Sequence, residues 1–185
     1  MKKVYPTLKR RDPKHNSHGT YFQRMIQFSG LNETAKDGRT EKEVNQLQRI
    51  LEIWHGAEEN GKHPRHSALQ ATIFDPAKDH HGAALCGFPC LQQVSFNYQG
   101  DQLTVNAYYP TQYILARAYG NYLGLCHLGV FMAAQMGLIF AGLVCFIGKC
   151  QLGATKSALS SLQRQIGAHR RREAPAEPFH QVESR

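Results

Sequence analysis

Cysteine and histidine side chains lie close together near the middle of the chain, where they could bind a metal or attack a substrate. Cys86 and Cys90 are four residues apart, and His80 and His81 precede them. Thiolate and imidazole groups are ligands that zinc favours. The Cys-x3-Cys loop is nevertheless atypical of zinc sites, and small thiols are commonly buried in protein cores. We therefore predict no metal site, and the residue pattern by itself favours buried thiols at these positions.

A cysteine attacks a substrate as its thiolate. A free thiol has a pKa of about 8.5, so ionisation at neutral pH needs a nearby positive charge or hydrogen-bond donors. The five cysteines form an odd set without a Cys-x2-Cys pair: Cys86, Cys90, Cys126, Cys145 and Cys150. The first residues are charged and lack the apolar stretch of a secretion signal. These features predict a reduced, cytoplasmic protein.

The composition is that of one compact soluble domain. The chain has 185 residues, of which 42% are apolar and 19% charged, with a mean hydropathy of -0.46. The formal net charge of +8 is concentrated at the two ends, and the middle of the chain is close to neutral. We predict a basic arm over residues 1–19, a core domain over 20–166 and a basic tail over 167–185. Because the basic residues flank the core, no specific nucleic-acid partner is expected.

Two segments before Cys90 have clear secondary-structure patterns. Residues 41–54 place apolar side chains at spacings of three and four, which predicts an amphipathic helix ended by Gly56, Gly61 and Pro64. Residues 68–74 have the composition of a strand, and residues 78–82 that of a polar loop.

Two β-rich runs follow, over residues 88–98 and 102–109. Gln99, Gly100 and Asp101 join them, and this turn composition predicts an antiparallel hairpin with one apolar face. Such a sheet needs a covering layer.

The covering layer is predicted in residues 119–148, which contain no Asp, Glu, Lys or Arg. A stretch of this length could also span a membrane. Polar residues and several glycines argue against a span, and Gly137 divides the stretch into a helix-length and a strand-length piece. We therefore predict an α/β (α+β) fold in which a long buried helix covers the sheet and a buried strand follows. A second amphipathic helix is expected over residues 154–166.

Several motifs resemble the catalytic core of thymidylate synthases. Residues 88–96 have the sequence Phe-Pro-Cys-Leu-Gln-Gln-Val-Ser-Phe, and the hairpin then leads to Asn121 at the start of an apolar helix. In that family a Pro-Cys pair supplies the nucleophile, a Gln-rich strand follows, the next strand ends in Tyr-Gln-Arg-Ser-x-Asp, and Pro-Phe-Asn begins the buried helix. Counted from Cys90 without a gap, Tyr108 and Asn121 fall in the family's register. The resemblance covers about residues 20–165.

The departures from the family pattern concern its arginines. Pro110 stands where the family has the arginine that touches the nucleophile and the nucleotide phosphate, and Thr111 stands for its serine. Ser67 and Ala68 occupy the positions of the two arginines that each subunit lends to its partner. A nucleoside monophosphate bound in the family's pose is therefore not expected.

The resemblance implies a function and a set of site residues. It implies one-carbon transfer to C5 of a pyrimidine or related ring, with Cys90 as the nucleophile and with Asn121, Thr111, Tyr108 and Gln151 binding the substrate. Asn121 could instead be the N-cap of its helix. The family also implies 5,10-methylenetetrahydrofolate as the carbon donor and a homodimer formed through the sheet.

Two other interpretations remain open from the sequence. The chain could be a non-catalytic remnant of this fold that serves as a structural or interaction subunit. Alternatively, residues 122–148 could attach the protein to a membrane, although the pattern favours a buried core.

Overall fold

A computed structural model describes residues 20–28, 44–80, 82 and 90–173. The helices are α1 (Tyr21–Ile26), α2 (Gln46–Glu59), α3 (Pro76–Asp79), α4 (Tyr119–Gln135) and α5 (Lys156–Glu173), with a 3-10 turn over His66–Ala68 and a π-helical turn over Ile114–Ala118. The strands are β1 (Gln70–Thr72), β2 (Gln93–Gln99), β3 (Gln102–Tyr113) and β4 (Ile139–Gln151).

The strands form one mixed sheet in the order β1-β2-β3-β4. β2 and β3 pair antiparallel, with Gln99 opposite Gln102, so the predicted hairpin is confirmed. Gly100 at its turn has a φ of 59°, a conformation that glycine adopts without steric penalty. β4 pairs parallel to β3, which requires the crossover connection that α4 provides.

The predicted division of residues 119–148 is confirmed. α4 ends at Gln135, Gly137 has a φ of 68°, and β4 begins at Ile139. In the described part of the chain, no helix is both long enough and apolar enough to cross a membrane.

The predicted helix over residues 41–54 is present as α2, shifted toward the carboxyl end. The Asn45 side chain caps it by accepting a hydrogen bond from the Gln48 N–H at 3.1 Å. Gly56 lies inside the helix, which ends at Glu59. Gln46 ties the helix to the edge strand β1: its side chain accepts from the Thr72 N–H at 2.9 Å and donates to the Thr72 carbonyl at 2.8 Å.

The hydrophobic core lies between the sheet and the helices. It consists of buried apolar side chains from α1, α2, α4 and the inner faces of the strands: Met25, Leu47, Ile50, Leu51, Trp54, Leu69, Ala71, Ile73, Leu91, Val94, Phe96, Leu103, Val105, Tyr109, Leu125, Leu128, Met132 and Met136. The fold is therefore an α+β sheet covered on one side by helices, as predicted. The expectation that α4 is buried holds for one face only, because Tyr119, Leu123, Val130 and Phe131 on its other side are 41–79% exposed.

The expectation that the strand after α4 is buried is wrong. β4 is the edge strand, and Ile139, Val144 and Phe146 are 58–67% exposed. Because helices cover only one face of the sheet, alternating residues of β4 lie on the uncovered face, and the irregularity in the pairing at Leu103 and Thr104 shifts this alternation by one residue. The apolar composition of the strand therefore does not imply burial on both faces.

Three smaller expectations differ in extent. The strand predicted over residues 68–74 is confined to Gln70–Thr72, because the 3-10 turn precedes it. The polar loop over 78–82 begins inside α3. The last predicted helix is present and continues to Glu173. Residues 1–19, and Cys86 with His81, lie outside the described residues.

Candidate active site

Cys90 lies directly before β2, half-buried against the hydrophobic core. The Gln92 N–H donates to the Tyr108 carbonyl at 2.9 Å, so the chain that follows Cys90 is held against β3. The hairpin pairing thus fixes the position of the cysteine relative to the residues near the carboxyl end of β3.

Tyr21, the first residue of α1, places its hydroxyl beside the Cys90 side chain. Burial raises the pKa of Tyr21 to about 12, and the charge of a Cys90 thiolate and a hydrogen bond to it act in the same direction. The backbone N–H groups of Cys90 and Leu91 act on the same oxygen and oppose this rise in pKa. Tyr21 therefore keeps its proton at neutral pH and can donate a hydrogen bond to the Cys90 sulfur.

Tyr109 is the second tyrosine near Cys90. It lies on the inner face of β3, is fully buried, and its hydroxyl has no hydrogen-bond partner among the described residues. Burial raises the pKa of Tyr109, and the charges of Tyr21, Cys145, Tyr122 and Cys90 raise it further. The phenol is therefore a neutral donor at neutral pH.

We call Tyr21, Cys90, Tyr109, Tyr122 and Cys145 the tyrosine–cysteine cluster. Burial is the first cause that raises the pKa of both the Tyr122 hydroxyl and the Cys145 thiol. Cys145 stands opposite Ala107 in the β3–β4 pairing, two positions before the partner of Tyr109. Because burial penalises ionised groups, the three tyrosines of the cluster and Cys145 are neutral hydrogen-bond donors at neutral pH.

Asn121 lies in the first turn of α4 and is not its N-cap. The helix follows the π-helical turn directly, and no side chain caps its first residues. The Asn121 side-chain N–H₂ donates to the side-chain oxygen of Gln112 at 3.5 Å. Gln112 is buried, and its own N–H₂ has no partner among the described residues. With this amide orientation, the Asn121 oxygen is the atom available to accept a hydrogen bond from a ligand.

The other sequence-predicted substrate residues lie apart from this arrangement or at its border. Tyr108 is 40% exposed on the uncovered face of the sheet, where its ring stacks on Phe146 at 5.7 Å. Adjacent strand residues point to opposite faces, so Tyr108 points away from Tyr109. Thr111 is half-buried opposite Lys149, and Gln151 is half-buried at the end of β4.

The arginine nearest to Tyr21 in sequence is already paired. Arg24, one turn further along α1, donates to both carboxylate oxygens of Asp79 and to the Ile73 carbonyl at 3.0 Å. Asp79 is buried and also accepts from the Asp75 N–H at 2.8 Å. Arg24 thus holds α1 and α3 together.

Three of these residues were not identified from the sequence: Tyr21, Tyr109 and Gln112. Tyr21 is distant from Cys90 along the chain, and no spacing signals their proximity. Tyr109 and Gln112 lie in the predicted hairpin region or just beyond it, and an apolar strand ending in aromatic and amide residues is a weak signal for them. Among the described residues, no group of three or more His, Cys, Asp or Glu side chains could hold a metal ion.

No protein-family model matches the sequence, and no curated protein matches it. Among solved structures, a thermostable thymidylate synthase A from Bacillus subtilis is similar, with a TM-score of 0.56 at 16% sequence identity. The similarity covers 84% of this chain and 51% of that chain, so this chain spans about half the length of that enzyme. The mixed sheet and its helices therefore form a thymidylate synthase-like fold.

Proposed function

We propose that this protein transfers a one-carbon unit to C5 of a pyrimidine or a related ring, with Cys90 as the nucleophile. The observation that carries the proposal is the Tyr21 hydroxyl beside the Cys90 side chain, within a thymidylate synthase-like fold. A donor that keeps its proton stabilises a thiolate and favours its formation. In the family an arginine contacts the nucleophile, and Pro110 stands at that position here. Tyr21 would therefore replace part of the activating effect of that arginine.

The proposed reaction begins with the addition of the Cys90 sulfur to C6 of the ring. The new C–S bond forms as the C5–C6 double bond opens, and its electron pair makes C5 nucleophilic toward an electrophilic carbon. As C5 forms its new bond, the transferred carbon gives up its bond to the donor's leaving group, which departs with that electron pair, and the C5 proton then leaves to a base. Loss of the Cys90 thiolate from C6 then restores the double bond, so the cysteine is regenerated.

Asn121 is the residue that would orient the ring. Its side-chain N–H₂ points to Gln112, so its oxygen would accept the N–H of a pyrimidine. The hydrogen bond to Gln112 orients the Asn121 side-chain oxygen. Asn121 lies in the first turn of α4, a helix that packs in the core.

The carbon donor that the resemblance implies is 5,10-methylenetetrahydrofolate. When bound, it would supply the electrophilic methylene carbon. The donor set fits a flat heterocycle, because Tyr21 and Tyr122 provide aromatic rings and hydroxyl donors around Tyr109. These two tyrosines are therefore the residues that would hold its ring system.

We further propose that the protein is a homodimer that associates through the uncovered face of the sheet. Tyr108, Val144 and Phe146 form an apolar patch there, and each is at least 40% exposed. Contiguous exposed apolar residues of this kind are typical of association surfaces.

The proposed role of Cys90 is tested by limited alkylation with iodoacetamide at neutral pH, followed by mass spectrometry. We expect Cys90 to be labelled faster than Cys126, Cys145 and Cys150, because an ionised and accessible thiol reacts fastest. Burial already raises the pKa of Cys145, which makes it a matched slow control.

The variant Tyr21→Phe tests the source of the reactivity. Loss of a hydroxyl donor to a charged sulfur should slow labelling of Cys90 by about tenfold, which corresponds to roughly 1.4 kcal/mol. Equal labelling of all cysteines in the wild type would instead support a non-catalytic structural or interaction subunit with this fold.

A further inference from the structure

The Tyr109 hydroxyl is an unusual feature of the core. The side chain is completely buried between the sheet and the helices, yet the hydroxyl has no hydrogen-bond partner among the described residues. Buried hydroxyl groups in folded proteins are nearly always paired. Tyr98, in the neighbouring strand, shows the usual arrangement, because its hydroxyl donates to the Pro64 carbonyl at 2.7 Å.

Three neighbours of this hydroxyl, Tyr21, Tyr122 and Cys145, keep their protons at neutral pH because burial raises the pKa of each. The charge interactions of the hydroxyl are with the other members of the tyrosine–cysteine cluster: Tyr21, Cys145, Tyr122 and Cys90. Such an environment stabilises neutral ligands that accept hydrogen bonds and penalises an anion.

The residue after Tyr109 carries no cation, and the arginine of α1 is already paired. Pro110 follows Tyr109 directly, and Arg24 is occupied by the buried carboxylate of Asp79. A phosphate dianion binds best to a bidentate arginine, and Arg24 would have to abandon Asp79 to provide one.

We propose that the Tyr109 hydroxyl is a ligand-binding group that donates a hydrogen bond to an uncharged pyrimidine, either a base or a nucleoside without a 5′-phosphate. This inference rests on the proposed function, because it assigns the substrate class of the same site. It adds Tyr109 as a specificity-determining residue: a neutral donor occupies the region next to the position where an arginine would select a phosphate.

The variant Tyr109→Phe tests the proposal in the full-length protein. Because the hydroxyl has no partner, its removal should leave the unfolding temperature unchanged or raise it. Deoxyuridine and deoxyuridine 5′-monophosphate are the probes, titrated by calorimetry. We expect the wild type to bind deoxyuridine more tightly than its monophosphate, and the variant to bind deoxyuridine about tenfold more weakly than the wild type does.

Tyr98→Phe is the matched control. It removes the same atom from a tyrosine of the same sheet, but one that donates to Pro64. We expect it to lower the unfolding temperature and to leave deoxyuridine binding unchanged.

Three outcomes would overturn the inference. Tighter binding of the monophosphate would show that the site selects an anion, and undiminished deoxyuridine binding by Tyr109→Phe would show that the hydroxyl does not contact it. Absence of deoxyuridine binding by the wild type would exclude this substrate class. In each case, fast alkylation of Cys90 would still support its role as the nucleophile. Slow alkylation of Cys90 would contradict the proposed function as well.

Discussion

The Asp79 carboxylate accepts two hydrogen bonds from the Arg24 guanidinium: Nη2 donates to Oδ1 at 2.9 Å, and Nη1 donates to Oδ2 at 2.5 Å. The carboxylate is 1% exposed and the guanidinium 13% exposed, so water screens the pair weakly. The contact joins α1, which carries Tyr21, to α3. The placement of the helix that carries Tyr21 therefore depends in part on a buried ion pair.

We expect Asp79→Asn to destabilise the protein by about 3 kcal/mol, because it removes the buried carboxylate charge that accepts two hydrogen bonds from the Arg24 guanidinium. The measurement is the free energy of unfolding in urea. Glu52→Gln is the control, since Glu52 and Arg49 form a 3.4 Å ion pair on the exposed side of α2. That change should alter stability by less than about 0.5 kcal/mol. A similar effect of both substitutions would contradict the structural role given to Arg24 and Asp79.

The stability of the protein should fall as the pH rises from 10 toward 12. In the folded protein the pKa of Tyr21 is about 12, whereas the ordinary tyrosine pKa of 10.0 applies in the unfolded chain. Between these values the unfolded state loses the proton first, so rising pH favours unfolding. The contribution is complete below pH 10 and is lost as the pH passes through about 12.

Urea unfolding at a series of pH values measures this loss. Tyr21→Phe should reduce it in part, because burial also raises the pKa of Tyr109 and that residue remains. Tyr119→Phe should leave the pH dependence unchanged, because Tyr119 is 79% exposed. An unaltered pH dependence in Tyr21→Phe would show that its phenol is not buried as the structure places it.

Two glycines of α4 should respond in opposite ways to alanine. A Cβ at Gly129 would lie 2.3 Å from Phe140 Cε2, whereas a Cβ at Gly124 would meet nothing within 4 Å. We expect Gly129→Ala to destabilise by about 1–3 kcal/mol through overpacking against the rigid ring. Gly124→Ala should stabilise by up to about 1 kcal/mol, because alanine has the higher helix propensity. The unfolding temperatures of the two variants test this difference. If both substitutions lower the unfolding temperature, close packing at Gly129 is not the reason for its glycine.

Local sequence patterns were sufficient for the hairpin and for the break at Gly137. A turn containing Gly100 between alternating strands, and a glycine between a helix-length and a strand-length run, are signals carried by neighbouring residues. The exposure of β4 was not predictable in this way. Whether an apolar strand lies at an edge depends on its pairing with β3, which is a long-range contact.

The candidate site also contains residues that the sequence identifies and residues that only long-range contacts bring together. Cys90 and Asn121 were identified through the resemblance to thymidylate synthases, but Tyr21 comes from a helix far away along the chain. Tyr109 was visible as a strand residue, whereas its unpaired hydroxyl depends on what the folded core places around it. The resemblance therefore indicated a nucleophile without the groups that surround it.

The uncovered face of the sheet provides the last prediction, which concerns the proposed homodimer. The Tyr108 and Phe146 rings stack there with an interplanar angle of 28°, and Phe146 remains 67% exposed. A second copy would bury these rings, and a stable interface of this kind removes about 800 Å² per partner from water.

We expect the wild type to sediment as a dimer and Phe146→Glu to sediment as a folded monomer, because a charge at the centre of an apolar interface is left without a partner. Ile166→Glu is the control: it places the same charge on an apolar side chain of α5 that is 45% exposed, outside the sheet, and should leave the dimer intact. Sedimentation velocity with circular dichroism separates dissociation from unfolding, and a monomeric wild type at micromolar concentration would contradict the proposed assembly.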